Sequence, residues 1–267
     1  MKKFLLFTLI FIGCKNHSQE ILFKVAYKPN LVYNQSMENT SNNEVTYLGP
    51  NELLKKLEEK KMQNPQVTFN KTTMSNINST GKLITGQFPL TIRYQGSENS
   101  MIPDKTTVYG YVIENKTPKL DSIYAPEMDS ITKATFFNSM QIAISQVTLP
   151  EQKLKLNQSF SREMPMNIPV GKFTFNLTNT ITYTLKKIEN QKAYFDIVQV
   201  YTMKSKETDL SLKATGSGNG QIIYDIENTF YLLYELNSTI NMEVFTQEMN
   251  FKVLTKSTTK QTTTITK

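Results

Sequence analysis

Most of this chain alternates apolar and polar residues with a period of two, and this pattern restricts it to β structure. The alternation is clearest over residues 180–186, and helical spacing is almost absent from residue 153 to the C-terminus. Successive side chains of a strand point to opposite faces of a sheet, so a period of two gives one buried and one exposed face. Such sheets are usually antiparallel. We therefore expect a mainly β (α+β) protein with a curved antiparallel sheet, arranged as a half-barrel or a sandwich.

Two segments break the alternation and predict one short and one long helix. In residues 51–62, Leu53, Leu54 and Leu57 lie at helical spacing among Lys and Glu residues. The longer helix is expected over 126–147, where the apolar residues follow a spacing of three and four. Side chains at this spacing usually pack in a core, and the alternative is that they line an apolar ligand pocket. The residues concerned are Phe137, Met140, Ile144 and Val147.

Turn-forming residues suggest how the strands are connected. Lys28-Pro29-Asn30 predicts the turn of a hairpin over 21–38, and the Gly-rich residues 216–220 predict a second hairpin turn. The Thr-rich residues 255–267 are expected to form a last strand that frays. Further strands are expected at 66–77, 82–94, 106–114, 154–164, 170–177, 180–188, 193–203, 210–214, 221–226, 230–241 and 244–264.

The N-terminus has the organisation of a secretory signal. Lys2 and Lys3 precede an apolar run over 4–12, and the chain turns polar directly after Cys14. The run is shorter than the ~20 apolar residues that a transmembrane helix requires. An ordinary secretory signal with a free cysteine is the alternative interpretation. The first thirteen residues are therefore expected to be removed.

The tetrapeptide Phe11-Ile12-Gly13-Cys14 resembles the lipobox of bacterial lipoproteins. The resemblance implies cleavage between Gly13 and Cys14, and acylation of Cys14 by lipid chains such as palmitate. Buried acyl chains add about 0.8 kcal/mol per methylene, so several chains would anchor the protein firmly. We expect a signal peptide over 1–13, a lipidated tether over 14–20 and one β-rich domain over 21–267. Two similar halves, 21–148 and 149–267, are compatible with this domain.

Further along, the sequence is similar to an uncharacterised family of bacterial lipoproteins. The similarity rests on the hairpin expected over 22–33, on the helix before Leu149-Pro150, on the segment from Leu149 to Phe160, on residues 182–188 and on residues 216–225. Family members tend to have Gly-Asp-Ser before the aromatic residue, whereas this chain has Asn157-Gln158-Ser159. A weaker architectural likeness is to lipoprotein carriers, in which a curved sheet wraps apolar space. This likeness concerns the fold and does not assign a function.

Composition excludes several classes of chemistry. The 267 residues contain one Cys and one His, so an intramolecular disulfide and a multi-thiolate metal site are excluded. His17 lies in the tether, which argues against a Ser-His-Asp or Cys-His enzyme. Loss of Lys2 and Lys3 lowers the net charge from +7 to +5, and scattered Lys residues with few Arg do not predict nucleic-acid binding. We expect no metal and no cofactor.

The sequence therefore predicts a lipid-anchored protein of the bacterial envelope that is attached to the outer membrane. Both the periplasmic face of this membrane and the cell surface are possible locations. Its expected role is binding without catalysis, and the ligand is a hydrophobic molecule or a protein partner. One alternative is a scaffold with a filled core. Another is a hydrolase of envelope glycans or peptides that uses paired carboxylates. The candidate carboxylates are Asp121, Glu127, Asp129, Asp196, Asp209 and Asp225.

Overall fold

The computed structural model describes residues 20–60, 66–81, 86–95, 102–113, 116–147, 149–170, 173–203, 211–245 and 250–267. Its thirteen strands and two helices confirm the mainly β class and the antiparallel pairing. In chain order they are β1 Glu20–Val25, β2 Val32–Leu48, α1 Asn51–Glu59, β3 Gln66–Asn78, β4 Gln87–Gln95, β5 Thr107–Ile113, β6 Lys119–Tyr124, α2 Ser130–Val147, β7 Leu149–Lys155, β8 Ser159–Val170, β9 Phe173–Glu189, β10 Lys192–Met203, β11 Ser211–Asp225, β12 Phe230–Phe245 and β13 Asn250–Thr266.

Eleven of these strands form a single sheet in the order β6-β5-β4-β3-β2-β13-β12-β11-β10-β9-β8. The sheet ends at β6 and β8 and is not closed. The other two strands, β1 and β7, pair with each other as a separate ribbon. Within the described ranges, neither helix is both long and apolar enough to span a membrane.

The aromatic ring of Phe23 shows that the large sheet is curved. Its centroid lies 5.6, 6.2, 4.6 and 4.9 Å from the rings of Phe160, Tyr183, Phe195 and Tyr224, which belong to β8, β9, β10 and β11. Four strands of a flat sheet span about 14 Å, since neighbouring strands are ~4.8 Å apart. One ring can contact all four strands only if the sheet bends around it. We call the face that carries these rings the inner face and the opposite face the outer face.

The ribbon is tied to the inner face by hydrogen bonds as well as by ring contacts. The Tyr224 hydroxyl donates to the backbone carbonyl of Lys24 at 2.6 Å, and the amide of Ala26 donates to the carbonyl of Thr229 at 3.1 Å. These bonds satisfy backbone polar groups of Lys24 in β1 and of Ala26, which directly follows it. Unsatisfied buried backbone groups are costly, so the bonds help to explain how β1 can lie over the core.

The expected hairpin over 21–38 is wrong. Strand β1 pairs with β7, more than a hundred residues away, while β2 enters the large sheet. The physical reason is that β1 carries large apolar side chains that are buried in the core. Ile21, Phe23 and Val25 are all buried, with Phe23 and Val25 at 0% exposure, so the strand inserts into the core and does not extend the edge of a half-exposed sheet.

The predicted turn at residues 216–220 is also wrong, because these residues lie inside the continuous strand β11. Gly216, Gly218 and Gly220 point to the inner face, where β12 approaches closely. A Cβ atom on Gly220 would lie 1.9 Å from the carbonyl oxygen of Glu235, and one on Gly216 would lie 2.6 Å from that of Thr239. The glycines therefore permit a close approach of neighbouring backbones.

Several element boundaries differ from the expected ones. The predicted strand 154–164 is divided between β7 and β8 at Asn157, whose φ of 65° is typical of a turn. The strands predicted at 170–177 and 180–188 are one strand, β9. Strand β6 was not predicted. The C-terminal strand β13 pairs with β2 over 250–266 and with β12 over 250–262, so it is central and not a frayed edge.

The helices match their predicted positions with shorter bounds. The long helix α2 begins after Asp129, whose carboxylate accepts hydrogen bonds from the amides of Ile131 and Thr132 at 2.9 Å. It therefore starts later than Pro126. Gln141 of α2 covers the edge strand β6: its Oε1 accepts from the amide of Leu120 at 2.8 Å, and its Nε2 donates to the carbonyl of Pro118 at 3.1 Å. A side-chain amide thus takes the place of a neighbouring strand at this edge.

Candidate functional site

The lipidation residues Gly13 and Cys14 lie outside the described residues. The residues considered as pocket lining are placed on α2. Ile144 is buried in the core at 4% exposure, and Phe137 and Met140 are half-buried against it. The Met140 sulfur accepts a hydrogen bond from the Tyr94 hydroxyl at 2.9 Å. The side chain of Val147 is outside the described set. None of the three described side chains lines either depression described below.

One end of the inner face is filled by aromatic side chains. Phe23, Tyr33, Tyr224 and Phe230 each have 0% exposure, and Phe195 has 1%. Burial raises the pKa of Tyr33 and of Tyr224 to about 12, because the charged phenolate would be poorly solvated there. These tyrosines therefore remain neutral at physiological pH and serve as hydrogen-bonding members of the core.

A band of polar side chains crosses the inner face beyond the aromatic end. The Tyr201 hydroxyl donates to Oε1 of Gln199 at 2.6 Å, and the hydroxyls of Ser238 and Ser257 are hydrogen-bonded at 2.8 Å. Gln199 and Ser238 are buried, with exposures of 3% and 9%. Past this band lies a second apolar cluster, formed by Leu177, Tyr201, Ala214, Ile240, Met242, Val244 and Val253.

Some buried atoms of the inner face lack a hydrogen-bond partner among the described residues. They include Oδ1 of Asn179, Oγ1 of Thr263 and Nε2 of Gln35. Asn179 and Thr263 are 4% and 6% exposed, and Thr263 lies directly opposite Gln35 in the pairing of β13 with β2. An unsatisfied buried polar group costs about 1–3 kcal/mol, so these atoms mark places where a polar partner would be favourable.

Two depressions bordered by described residues lie on the outer face, because most of their lining residues belong to this face. They have volumes of about 520 and 330 Å³, and both are bordered by Asn42 and Lys256. We call the two adjoining depressions the Lys256 groove. The larger depression is lined by the outer-face residues Thr40, Asn42, Val198, Ser217, Asn219, Asn237, Thr239, Lys256 and Thr258, and it is also bordered by the inner-face residues Gly218, Ser238 and Ser257. The smaller one adds Asn43, Glu44, Thr68 and Leu254.

Strand register arranges the side chains of the Lys256 groove in two parallel rows. One row runs across five strands, from β10 to β2, through Val198, Asn219, Asn237, Thr258 and Thr40. The neighbouring row runs from β10 to β3 through Val200, Ser217, Thr239, Lys256, Asn42 and Thr68. Each row therefore begins at an exposed valine and continues with hydroxyl and amide groups.

Lys256 differs from the other lysines on the same face of β13. Lys252 lies opposite Glu243 on β12 and forms an ion pair with it at 2.7 Å, and Lys260 lies opposite Glu235 and pairs with it at 3.5 Å. Lys256 lies opposite Thr239 on β12 and Asn42 on β2. Within the described part of the chain, Lys256 has no ion pair. The groove thus contains a lysine without a carboxylate partner.

The candidate catalytic carboxylates do not line this groove. Hydrogen bonds from Thr132 lower the pKa of Asp129, which caps α2. Asp225 accepts hydrogen bonds from Asn228 in the turn before β12. Asp196 is exposed and lies 4.0 Å from Lys186. Asp121 and Glu127 are exposed, and Asp209 lies outside the described residues. Among the described residues, no group of three or more His, Cys, Asp or Glu could hold a metal ion.

Comparison with models of known protein families gave no match, and comparison with curated proteins gave no relative. Sequence reasoning missed the Lys256 groove. Lysines at every fourth residue of β13 are visible in the sequence, but the register that gives two of them a glutamate partner is not.

Proposed function

We propose that the chain is a lipid-anchored envelope protein whose β body binds a partner molecule without catalysing a reaction. The expected anchor is Cys14, in the lipobox-like segment 11–14. The body supplies a filled, curved sheet that displays its binding surface on the outer face. The observation that carries this proposal is the packing of aromatic side chains around β1, which fills the inner face there.

The filled inner face argues for this role over that of a carrier of hydrophobic molecules. Ligand pockets for such molecules are typically cavities of about 300–1,000 Å³ with mostly apolar walls. The space around Phe23 is occupied by four neighbouring rings at centroid distances of 4.6–6.2 Å. The Lys256 groove has a suitable volume but is lined mainly by Thr, Asn and Ser. Its chemistry suits a polar partner.

A fluorescent fatty-acid probe tests this proposal. We expect the full chain in detergent-free nanodiscs to show no saturable binding of the probe beyond that of empty nanodiscs. Saturable binding of one probe per chain by the unaltered protein would contradict the proposal.

A second candidate function is supported by a buried polar atom beside the second apolar cluster. Oδ1 of Asn179 has no hydrogen-bond partner among the described residues, and Asn179 lies opposite Tyr201 of this cluster in the pairing of β9 with β10. A ligand with a polar head and an apolar body could donate a hydrogen bond to this atom while lying on the second apolar cluster, in the way a lipid carrier works. Extraction of the purified chain followed by lipid mass spectrometry distinguishes the two candidates. A single stoichiometric non-covalent lipid would favour the carrier, and none would favour the filled support.

A further inference from the structure

We propose that the Lys256 groove binds an acidic saccharide, with the acid group of the ligand at Lys256. This inference rests on the proposed non-catalytic binding role and specifies the chemical class of the ligand. The inference concerns the outer face alone. If no saccharide binds there, the proposal that the inner face is filled is unaffected.

The hydrogen-bonding groups of the groove fit a polyhydroxylated ligand. Sugar hydroxyls both donate and accept hydrogen bonds, and the Thr, Ser and Asn side chains of the two rows do the same. Neighbouring threonines position two of these amides: Thr258 donates to Oδ1 of Asn237, and Thr68 donates to Oδ1 of Asn42, both at 2.8 Å. These bonds do not use the Nδ2 groups, which can donate to a ligand. The groove therefore presents amide donors whose orientation is already fixed.

The dimensions of the rows fit a chain of several sugar units. Each row crosses at least five strands, which corresponds to about 19 Å at the usual strand spacing of ~4.8 Å. Val198 and Val200, which begin the rows, are 50% and 46% exposed. They offer an apolar surface to the C–H face of a sugar ring. The groove thus combines an apolar end with a long polar strip.

The charge of the groove favours a ligand with one acidic group. Lys256 is exposed and is the one charged residue in the lining of the larger depression. Lys256 and Glu44 both border the smaller depression, so the charges of its lining cancel, whereas the lining of the larger one carries a single positive charge. A nucleic acid or a strongly acidic peptide presents a series of negative charges and would need several cations along the rows. A saccharide with a carboxylate needs one cation and many neutral hydrogen bonds.

Titration calorimetry of the full chain in detergent, with three probes, tests this inference. The probes are 3′-sialyllactose, a trisaccharide with one carboxylate, the neutral trisaccharide maltotriose and the acidic peptide tri-glutamate. We expect 3′-sialyllactose to bind most tightly, maltotriose more weakly and tri-glutamate not measurably. Charge-assisted hydrogen bonds are roughly twice as strong as neutral ones, so Lys256→Gln should weaken 3′-sialyllactose binding about tenfold and leave maltotriose binding nearly unchanged.

Lys260→Gln is the matched control, since this lysine lies on the same face of β13 but is paired with Glu235. It should leave all three titrations within about twofold of the unaltered protein. Asn237→Ala should weaken both saccharides. Absence of saccharide binding, equal binding of tri-glutamate, or unchanged 3′-sialyllactose binding by Lys256→Gln would each overturn the inference. Because Lys256 and Lys260 are both exposed, thermal melting of each variant should match that of the unaltered chain.

Discussion

Replacing Phe23 by Ala tests whether β1 is part of the core of this fold. The side chain is fully buried and contacts rings on four strands of the curved sheet. Phe→Ala substitutions in cores typically cost about 3–5 kcal/mol, from lost transfer free energy and from the cavity left behind. The loss of four aromatic contacts places the expected cost near the middle of this range, about 4 kcal/mol.

Thermal and urea denaturation of the soluble chain from residue 15 onward measure this effect. For a domain of this size, each kcal/mol corresponds to about 2–4 °C in Tm, so Phe23→Ala should lower Tm by about 8–16 °C. Leu22→Ala is the control, because Leu22 lies on the same strand, is 52% exposed and faces away from the core. It should change the free energy of unfolding by less than about 1 kcal/mol.

Similar decreases in the free energy of unfolding for Phe23→Ala and Leu22→Ala would refute the reasoning. They would mean that β1 does not have one buried and one exposed face. A smaller m value for Phe23→Ala, that is, a weaker dependence of the unfolding free energy on urea concentration, would show instead that the variant no longer unfolds as one unit. In that case, near-ultraviolet circular dichroism of the tyrosines would report whether the aromatic packing persists before unfolding.

Other parts of the structure carry further predictions. Cys14→Ser should move the protein from the membrane fraction to the soluble fraction, and continued fractionation with detergent would contradict the lipid anchor. Gly220→Ala should destabilise the fold by about 1–3 kcal/mol in urea denaturation, since its Cβ would meet the carbonyl of Glu235; Asn219→Ala, on the exposed face, should have little effect, and equal effects would argue against the close approach of β12. Burial raises the pKa of Tyr183 and Tyr224 to about 12, so the folded state keeps protons that the unfolded state loses near pH 10. Stability should therefore be complete below pH 10 and fall between pH 10 and 12, and a flat profile over this interval would show that these hydroxyls are accessible to solvent.

The fold class and most strands could be predicted because strands with one buried and one exposed face alternate apolar and polar residues along the sequence. Strand β10, which alternates buried and exposed residues along nearly its whole length, illustrates this. Helix α1 was also predictable, since its leucines lie at helical spacing. These strands and this helix depend on the spacing of apolar residues that are close in sequence, and this spacing can be read from a single sequence.

Long-range pairing could not be predicted in the same way. The pairing of β1 with β7 depends on what lies beneath Phe23, and the ring partners come from residues 160 to 224. The glycines of β11 suggested a turn, because Gly permits turns and close backbone approaches equally well. Only the position of β12 distinguishes these uses. The Lys256 groove was missed for the same reason, as its rows join residues from several strands.

Native mass spectrometry of the full chain released from the envelope tests the central claim most directly, namely that the inner face is filled and the partner is held outside. The account predicts a mass equal to the acylated chain from Cys14 onward, with no retained non-covalent lipid after mild activation. A second population carrying one further lipid per chain, lost only when the protein unfolds, would contradict it.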